Sequence, residues 1–272
     1  MSQNFPAVAV TGGASGIGYA IAEAFAREGH PVAIIDIGKE QALAAAARLK
    51  AQTGAESCGL GADVTNRDAC AAAHEEAVAT LDELGILINN AGILPQAKGR
   101  IEELPPEYFD EMMNVHVGGA VNWSRLVIPA MRDAGFGRVI NISSVHGFQP
   151  CPFRLGYVTA KKAVRGLTEA LALETARAGI TVNAIAPGYV LTDTLKARAS
   201  SGFLDHDRLA ERTPLGRWAN PEEIAHTALF LAHPASAYIT GTTMLVDGGL
   251  SIRGDAGEDI TNSPYLTNTH GQ

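Results

Sequence analysis

Ser144, Tyr157 and Lys161 are the residues whose types and spacing best suit moving a proton. Tyr157 and Lys161 are four apart, so a helix running on from Gly156 stacks them on one face. Ser144 stands thirteen residues before Tyr157, after the apolar run Val139, Ile140, Ile142 that reads as a buried strand. A strand end facing a helix face brings hydroxyl, phenol and amine to one point. The matching chemistry is removal of a hydroxyl proton as its carbon becomes a carbonyl, or the reverse. A free phenol, with a pKa of about 10, is too weakly acidic to serve as a base at neutral pH unless a nearby cation favours the phenolate. A Tyr-x-x-x-Lys pair also occurs on ordinary solvated helix faces, so the reading depends on what the rest of the chain supplies.

A second group of residues supplies it. Ala7 to Thr11 reads as a buried strand, Gly12, Gly16 and Gly18 follow, and a helix with apolar Ile17, Ala20, Ile21, Ala24 and Phe25 comes next. A glycine-rich turn between strand and helix lets backbone N–H groups approach a pyrophosphate at the positive end of the helix dipole. Val32 to Ile35 form the next strand, with Asp36 at its carboxyl end, 18 residues after Gly18. There a carboxylate can accept hydrogen bonds from adenosine ribose hydroxyls and repel a 2′-phosphate, which predicts NAD rather than NADP. The turn Gly12 to Gly18 holds no Arg or Lys, and Lys39 is the nearest cation after Asp36. The alternative role for Asp36 is a helix N-cap.

The elements that must position these groups alternate regularly. Helices are expected at about Glu40–Ala51, Arg67–Leu84 and Tyr108–Met131, at Tyr157, and after Pro221. Strands are expected near Gly61, at Ile86–Ile88, Arg138–Ile142, Thr181–Ile185 and Thr243–Val246. With the first two strands this gives about seven, all parallel, hence an α/β doubly wound sheet with helices on both faces. Ligands then bind at the carboxyl ends of the strands, where Asp63, Asn89 to Gly92, Ser144 and Pro187-Gly188 all fall. Leu191 to Trp218 breaks the pattern after a strand end and is placed to be a lid.

Composition excludes several classes. The chain has 272 residues, fitting one large domain that buries roughly three quarters of its unfolded surface. A net charge of −8 leaves no basic footprint for nucleic acid or anionic membrane. Cys58, Cys70 and Cys151 lack metal or disulfide spacing, and the eight histidines lack a His-x-x-x-His pair, so no metal site is expected and the compartment is a reducing one. With no signal peptide or long apolar run, a cytoplasmic protein with a small-molecule substrate is expected.

Thr11-Gly12-x-x-x-Gly16-Ile17-Gly18, Asn89-Asn90-Ala91-Gly92, Asn114, Ser144, Tyr157-x-x-x-Lys161 and Pro187-Gly188 occur together and in order. With them the chain resembles the short-chain dehydrogenase/reductase family over about residues 6 to 249, ending at Val246-Asp247-Gly248-Gly249. The resemblance implies a single-domain Rossmann fold over 1–249, a homotetramer, and an NAD-dependent oxidoreductase that interconverts a secondary alcohol and a carbonyl. By the same resemblance Ser15 and Ile17 belong to the phosphate turn, Asp63 and Val64 hold the adenine, and Asn90, with Ala91 and Gly92, borders the cofactor ribose. Pro187 and Gly188 lead to Val190 and Thr192 at the nicotinamide carboxamide. Tyr157 is expected as general base in oxidation and general acid in reduction, with Lys161 lowering its pKa and binding the nicotinamide ribose. Ser144 is expected to hold the substrate oxygen, and Asn114 a water that links Lys161 to solvent.

The substrate is less legible. His146 and Arg154 flank Ser144 and Tyr157, and the Ser-Val-His-Gly run with a basic residue three before the tyrosine is similar to 3-hydroxybutyrate dehydrogenases. Leu94 and Pro95 stand where those enzymes carry a polar amide. The leading expectation is a small polar substrate, namely a sugar, polyol or hydroxy acid, with His146 and Arg154 reading it. The alternative is a 3-oxoacyl-thioester reductase acting on acyl carrier protein, and a third is a catalytically silent nucleotide-binding regulator. The tail 250–272 is polar and reads either as loosely packed or, through Ile252, Ile260, Tyr265 and Leu266, as an anchor on a neighbouring subunit.

Overall fold

In the computed structural model, residues 5–95, 99–202 and 204–253 are described. β1 (Ala7–Thr11), β2 (Val32–Asp36), β3 (Ser57–Gly61), β4 (Leu84–Asn89), β5 (Gly137–Ile142), β6 (Ile180–Pro187) and β7 (Thr243–Val246) form one sheet. Every pairing is parallel and the order is β3-β2-β1-β4-β5-β6-β7. The order reverses between β1 and β4, and such a switch point leaves a crevice at the carboxyl ends of the two strands.

Period-2 alternation splits the core between the two faces of the sheet. Val8, Val10, Ile34, Ile88, Ile140 and Ile185 pack on one face with Ile21 and Phe25 of α1 (Gly16–Arg27), Leu49 of α2 (Lys39–Thr53) and Ile224 and Leu231 of α9 (Pro221–Ala232). Ala7, Ala9, Ile35, Leu87, Val139 and Val182 pack on the other. There they meet Ala73 and Leu81 of α3 (Arg67–Leu81), Trp123, Val127 and Met131 of α5 (Gly119–Ala134), and Ala172 of α6 (Leu155–Thr175). Strands buried on both faces are the reason the sequence shows continuous apolar runs rather than polar alternation.

Two elements differ from expectation. Helix α3 stops at Leu81, because Asp82 takes a φ of 63° at its C-cap, and Leu84 already pairs with Ala7 as the start of β4. The helix expected over Tyr108–Met131 is interrupted: α4 (Pro106–Met113) and α5 are joined by a π-helical turn, Asn114–Gly118. Gly119 explains part of this. A Cβ there would lie 2.7 Å from Cγ2 of Val64, so the chain bends where a glycine lets it approach the strand end.

The segment 191–218 carries α7 (Asp193–Ser200) and α8 (His206–Glu211). It is an excursion pinned at its neck, where Leu191 N–H donates to the Ala219 carbonyl and Ala219 N–H to the Tyr189 carbonyl, each at 2.8 Å. Of the tail, Leu250–Ile252 forms a 3-10 turn with Leu250 buried and Ile252 exposed. The rest of it, with Ile260, Tyr265 and Leu266, lies outside the described residues. Among the described residues no helix is long and apolar enough to cross a membrane, and no cluster of His, Cys, Asp and Glu could hold a metal.

Candidate active site

Thr11 ties the phosphate turn to the neighbouring strand. Its hydroxyl donates to the Ile88 carbonyl (3.3 Å) and accepts the backbone N–H groups of Asn90 (3.1 Å) and Ala91 (3.0 Å). The Asn90 amide returns the tie, donating to the carbonyls of Thr11 and Gly12 at 3.0 Å each. Gly12 and Gly16 adopt φ values of +60° and +55°, and a Cβ on Gly18 would lie 2.2 Å from the Gly12 carbonyl oxygen. Only glycine lets the first turn of α1 close under the loop. Ser15 begins that helix without a side-chain cap, leaving the helix N-terminal N–H groups to an anion.

Asp36 turns back over this loop: its Oδ2 accepts the Ala14 N–H at 3.1 Å. It does not cap α2, whose N-cap is Gly38, so the N-cap alternative is not realised. Asp63 Oδ1 accepts both the N–H (2.9 Å) and the hydroxyl (2.8 Å) of Thr65. Val64 offers its carbonyl to the Asn122 amide at 2.9 Å.

A cleft of about 490 Å³ joins these groups. Its walls include Gly12, Ser15, Gly16, Ile17, Asp36, Asp63, Val64, Asn90, Ala91, Gly92, Pro187, Gly188, Val190 and Thr192, together with Ser144, Tyr157 and Lys161. Gly18 lies beneath the turn rather than on the wall. The glycine cradle, the open α1 N-terminus and the carboxylate of Asp36 at the far end fit a dinucleotide.

Helix α6 is seated against β5 by polar ties. Asn89 donates to Asn141 Oδ1 and Asn141 to Thr168 Oγ1, each at 2.9 Å, while Ser143 Oγ donates to the Lys161 carbonyl at 2.9 Å. Ser144 opens a 3-10 turn and its Oγ accepts the His146 N–H at 3.2 Å. The ties set the Ser144 hydroxyl opposite Tyr157, where a hydrogen bond from it favours the phenolate.

Charge in this corner is governed by burial. Desolvation raises the pKa of Tyr157, partly offset by the Ser144 hydrogen bond and the Arg154 charge. Desolvation alone brings Lys161 down to about 7. The Lys161 Nζ donates to the Ile142 carbonyl at 2.9 Å and stands 5.7 Å from the Tyr157 ring centroid. The Arg154 charge also favours the Tyr157 phenolate, while the Lys161 amine is held at the Ile142 carbonyl.

Besides Gly18, three predicted residues stand off the cleft wall. Asn114 is exposed, and its carbonyl accepts the Gly119 N–H that closes the π-helical turn. His146 lies with its ring centroid 6.2 Å from those of both Tyr157 and Tyr189. Arg154 lines an adjoining cavity of about 360 Å³ with Cys151 and Phe153. Two ionisable cleft residues went unread in the sequence. His116 is buried, donates from Nε2 to the Ile93 carbonyl at 3.0 Å and meets the Tyr157 ring edge-on at 5.6 Å. Burial and the Lys161 charge keep it neutral. Arg198 of α7 lines the cleft from the excursion between β6 and α9. A lone histidine and a lone arginine in helices carry no spacing signal that would single them out.

The family described as enoyl-(acyl carrier protein) reductase matches residues 12–251. A 3-oxoacyl-[acyl-carrier-protein] reductase, FabG, of Chlamydia trachomatis serovar D is 38% identical over 89% of this chain and 96% of its own length. The chain is a short-chain dehydrogenase/reductase. Among its relatives in that family, a probable galactose dehydrogenase, GalD, of Rhizobium meliloti is 37% identical over 89% of this chain and 94% of its own. A crystal structure of a single-residue variant of the actinorhodin polyketide ketoreductase with NADPH superposes with a TM-score of 0.87 at 31% identity, covering 93% of this chain and 99% of that one. As a short-chain dehydrogenase/reductase the protein is an oxidoreductase that uses a nicotinamide dinucleotide, on the seven-stranded Rossmann sheet the sequence led us to expect.

Proposed function

We propose that this short-chain dehydrogenase/reductase interconverts a secondary alcohol and a ketone, with Tyr157 moving the proton. The observation that carries the reading is the cleft that joins the glycine turn and Asp36 to Ser144, Tyr157 and Lys161. The bound nicotinamide supplies the hydride acceptor or donor. Ser144 donates to the substrate oxygen and fixes it beside the Tyr157 hydroxyl. In reduction Tyr157 gives its proton to that oxygen as negative charge develops there, and in oxidation its phenolate takes the proton back. Lys161 holds the nicotinamide ribose and, through a water at Asn114, carries the proton to solvent. The glycine turn with Ser15 and Ile17 holds the pyrophosphate, and Asp63 and Val64 flank the adenine. Asn90, Ala91 and Gly92 border the ribose, and Pro187 and Gly188 lead to Val190 and Thr192, which hold the carboxamide. The segment 191–218 closes over the pocket as a lid.

For the substrate, reduction of a 3-oxoacyl thioester is the reading its relatives support best, through the 38% identity to a 3-oxoacyl reductase and the shared fold of a polyketide ketoreductase. Oxidation of a sugar, polyol or hydroxy acid is the second reading, favoured by the polar His146 and the Arg154 charge beside Tyr157 and by the galactose dehydrogenase relative. For the coenzyme, Asp36 supports NAD(H): a carboxylate at the end of β2 accepts from the ribose hydroxyls and repels a 2′-phosphate. The reading expects a cytoplasmic homotetramer.

A panel of 3-oxoacyl thioesters, sugars, polyols and hydroxy acids, followed by nicotinamide absorbance with both coenzymes, tests it. Turnover of a thioester above all others supports the first reading, turnover of a sugar or hydroxy acid the second, and no turnover of any member overturns both.

A further inference from the structure

His116 is the middle residue of the π-helical turn Asn114–Gly118, and of its five residues it alone is buried. Turns of this kind inside a helix recur at functional sites. The His116 side chain touches three parts of the cleft. Its Nε2 donates to the Ile93 carbonyl at 3.0 Å, its ring meets that of Tyr157 edge-on at 5.6 Å, and a Cβ on Gly92 would lie 2.5 Å from its Cε1. One side chain thus stands between α6, which carries Tyr157, and the loop 90–93 that leaves β4.

The second ring nitrogen is an acceptor without a donor. The Nε2 proton is given to Ile93, and burial with the Lys161 charge keeps the ring neutral, so Nδ1 bears a lone pair. Among the described residues this buried atom has no hydrogen-bond partner. Asn89 ends in the same way. Thr168 Oγ1 donates to the Val164 carbonyl at 2.8 Å and accepts from Asn141 Nδ2 at 2.9 Å, and Asn141 Oδ1 accepts from Asn89 Nδ2 at 2.9 Å. The direction of this chain orients the Asn89 amide and leaves its Oδ1 as a buried acceptor that no described residue donates to. Two such acceptors are costly to fold unless something donates to both.

Asn89 and His116 line one small cavity, with Asn141 and Ile142 on its walls. Its space of about 10 Å³ is close to the least that holds one water. A water carries two protons, one for each acceptor. The carbonyl of Ile142, on the same wall, is the one that holds Lys161 Nζ at 2.9 Å. We propose that His116 is a positioning residue for the coenzyme: its Nε2 holds the Ile93 carbonyl, and a single buried water donates to both His116 Nδ1 and Asn89 Oδ1. The water completes a hydrogen-bonded thread that runs from Ile93 through His116, the water, Asn89 and Asn141 to Thr168 on α6. The thread fixes the loop at the ribose against the helix that carries Tyr157 and Lys161. The inference rests on the proposed function only for the placement of the coenzyme ribose at Asn90, Ala91 and Gly92.

Three substitutions separate the two halves of the clamp. In His116→Gln the amide nitrogen reaches the place of Nε2 and keeps the bond to Ile93. His116→Asn is too short for that bond and keeps only an acceptor near the place of Nδ1. His116→Phe keeps a ring against Tyr157 and loses both contacts. The Kd for NADH and for NADPH is measured by titration in the wild type and in each variant. Binding of the tighter coenzyme is expected to weaken by about 10-fold in the Asn and Phe variants and by no more than about threefold in the Gln variant. A ring that merely filled space would lower Tm and leave this order unmoved. Equal affinities in the Gln and Asn variants overturn the proposal, whether or not the Phe variant folds. Two further readouts need no coenzyme. Nitrogen-15 NMR of histidine-labelled wild type is expected to show His116 as the Nε2–H tautomer, and a crystal structure to show one water within hydrogen-bond distance of Asn89 Oδ1 and His116 Nδ1. An Nδ1–H tautomer or a dry cavity overturns the proposal. If the wild type binds neither coenzyme, the proposed function fails while these two readouts still decide the clamp.

Discussion

Lys161 donates its Nζ to the Ile142 carbonyl at 2.9 Å, at the end of the strand that leads directly into Ser143 and Ser144. One contact thus binds the helix that carries Tyr157 to the strand end that carries its serine partner. It also places an amine in a site that holds its pKa at about 7. A lysine so buried serves the chemistry at the expense of stability.

Replacing it should show this. Lys161→Met is expected to abolish turnover and to raise stability at pH 7 by about 2 kcal/mol, once the lost Ile142 hydrogen bond is set against the relieved burial of charge. The folded value of about 7 lies below the unfolded value near 10.4. Between the two, the unfolded chain holds a proton that the folded chain has released, so wild-type stability from this group rises with pH. The advantage of Lys161→Met is therefore greatest at or below pH 7 and fades towards pH 10. Denaturant unfolding of both proteins across that range checks it, and a pH-independent difference would contradict it.

Coenzyme choice is assigned to Asp36. Asp36→Ser removes the carboxylate that lines the cleft and accepts the Ala14 N–H. The kcat/KM ratio of NAD over NADP is expected to fall by about 10- to 100-fold, as expected for a lost charged hydrogen bond and a relieved repulsion. Steady-state kinetics with both coenzymes measure it, and an unchanged ratio would move coenzyme selection elsewhere.

Thr11 is buried and makes three hydrogen bonds that fasten the phosphate turn to the end of β4. Thr11→Val keeps the shape and strands two N–H groups, at a cost of about 1–3 kcal/mol. We expect a lower Tm and a higher coenzyme Kd. A variant with normal coenzyme affinity would show that the turn holds its form without this clamp.

The direction of catalysis should respond to pH through Tyr157. Burial keeps its phenol protonated beyond the usual tyrosine range, so the acid form needed for reduction persists across neutral pH. Reduction kcat is expected to be flat from pH 6 to 8, while oxidation kcat rises with pH in the same range, in initial-rate measurements at saturating coenzyme. An oxidation profile that falls with pH would contradict the assignment.

Much of this was legible in the chain. The runs Ala7–Val10 and Val32–Ile35 are apolar because both sheet faces are covered, and the glycines between them are needed where α1 closes on the loop. Tyr157 and Lys161 share a helix, so periodicity sufficed to place them together. Asp82 was not readable as a helix stop, because only its positive φ ends α3, and the π-helical turn at Asn114 depends on how Gly119 meets Val64. Arg198 and His116 reach the cleft through tertiary packing that no local pattern records. Nor does any local pattern record that Arg154, the N-cap of α6, adds a charge favouring the Tyr157 phenolate.

The central claim is that Tyr157 moves the proton in a hydride exchange. Tyr157→Phe retains the ring that packs edge-on to His116 and removes only the hydroxyl. Single-turnover nicotinamide absorbance with the best substrate of the panel should show the rate falling by about 10²- to 10⁴-fold while coenzyme binding is preserved. A variant that still turns over within a few-fold of the wild type would contradict the account.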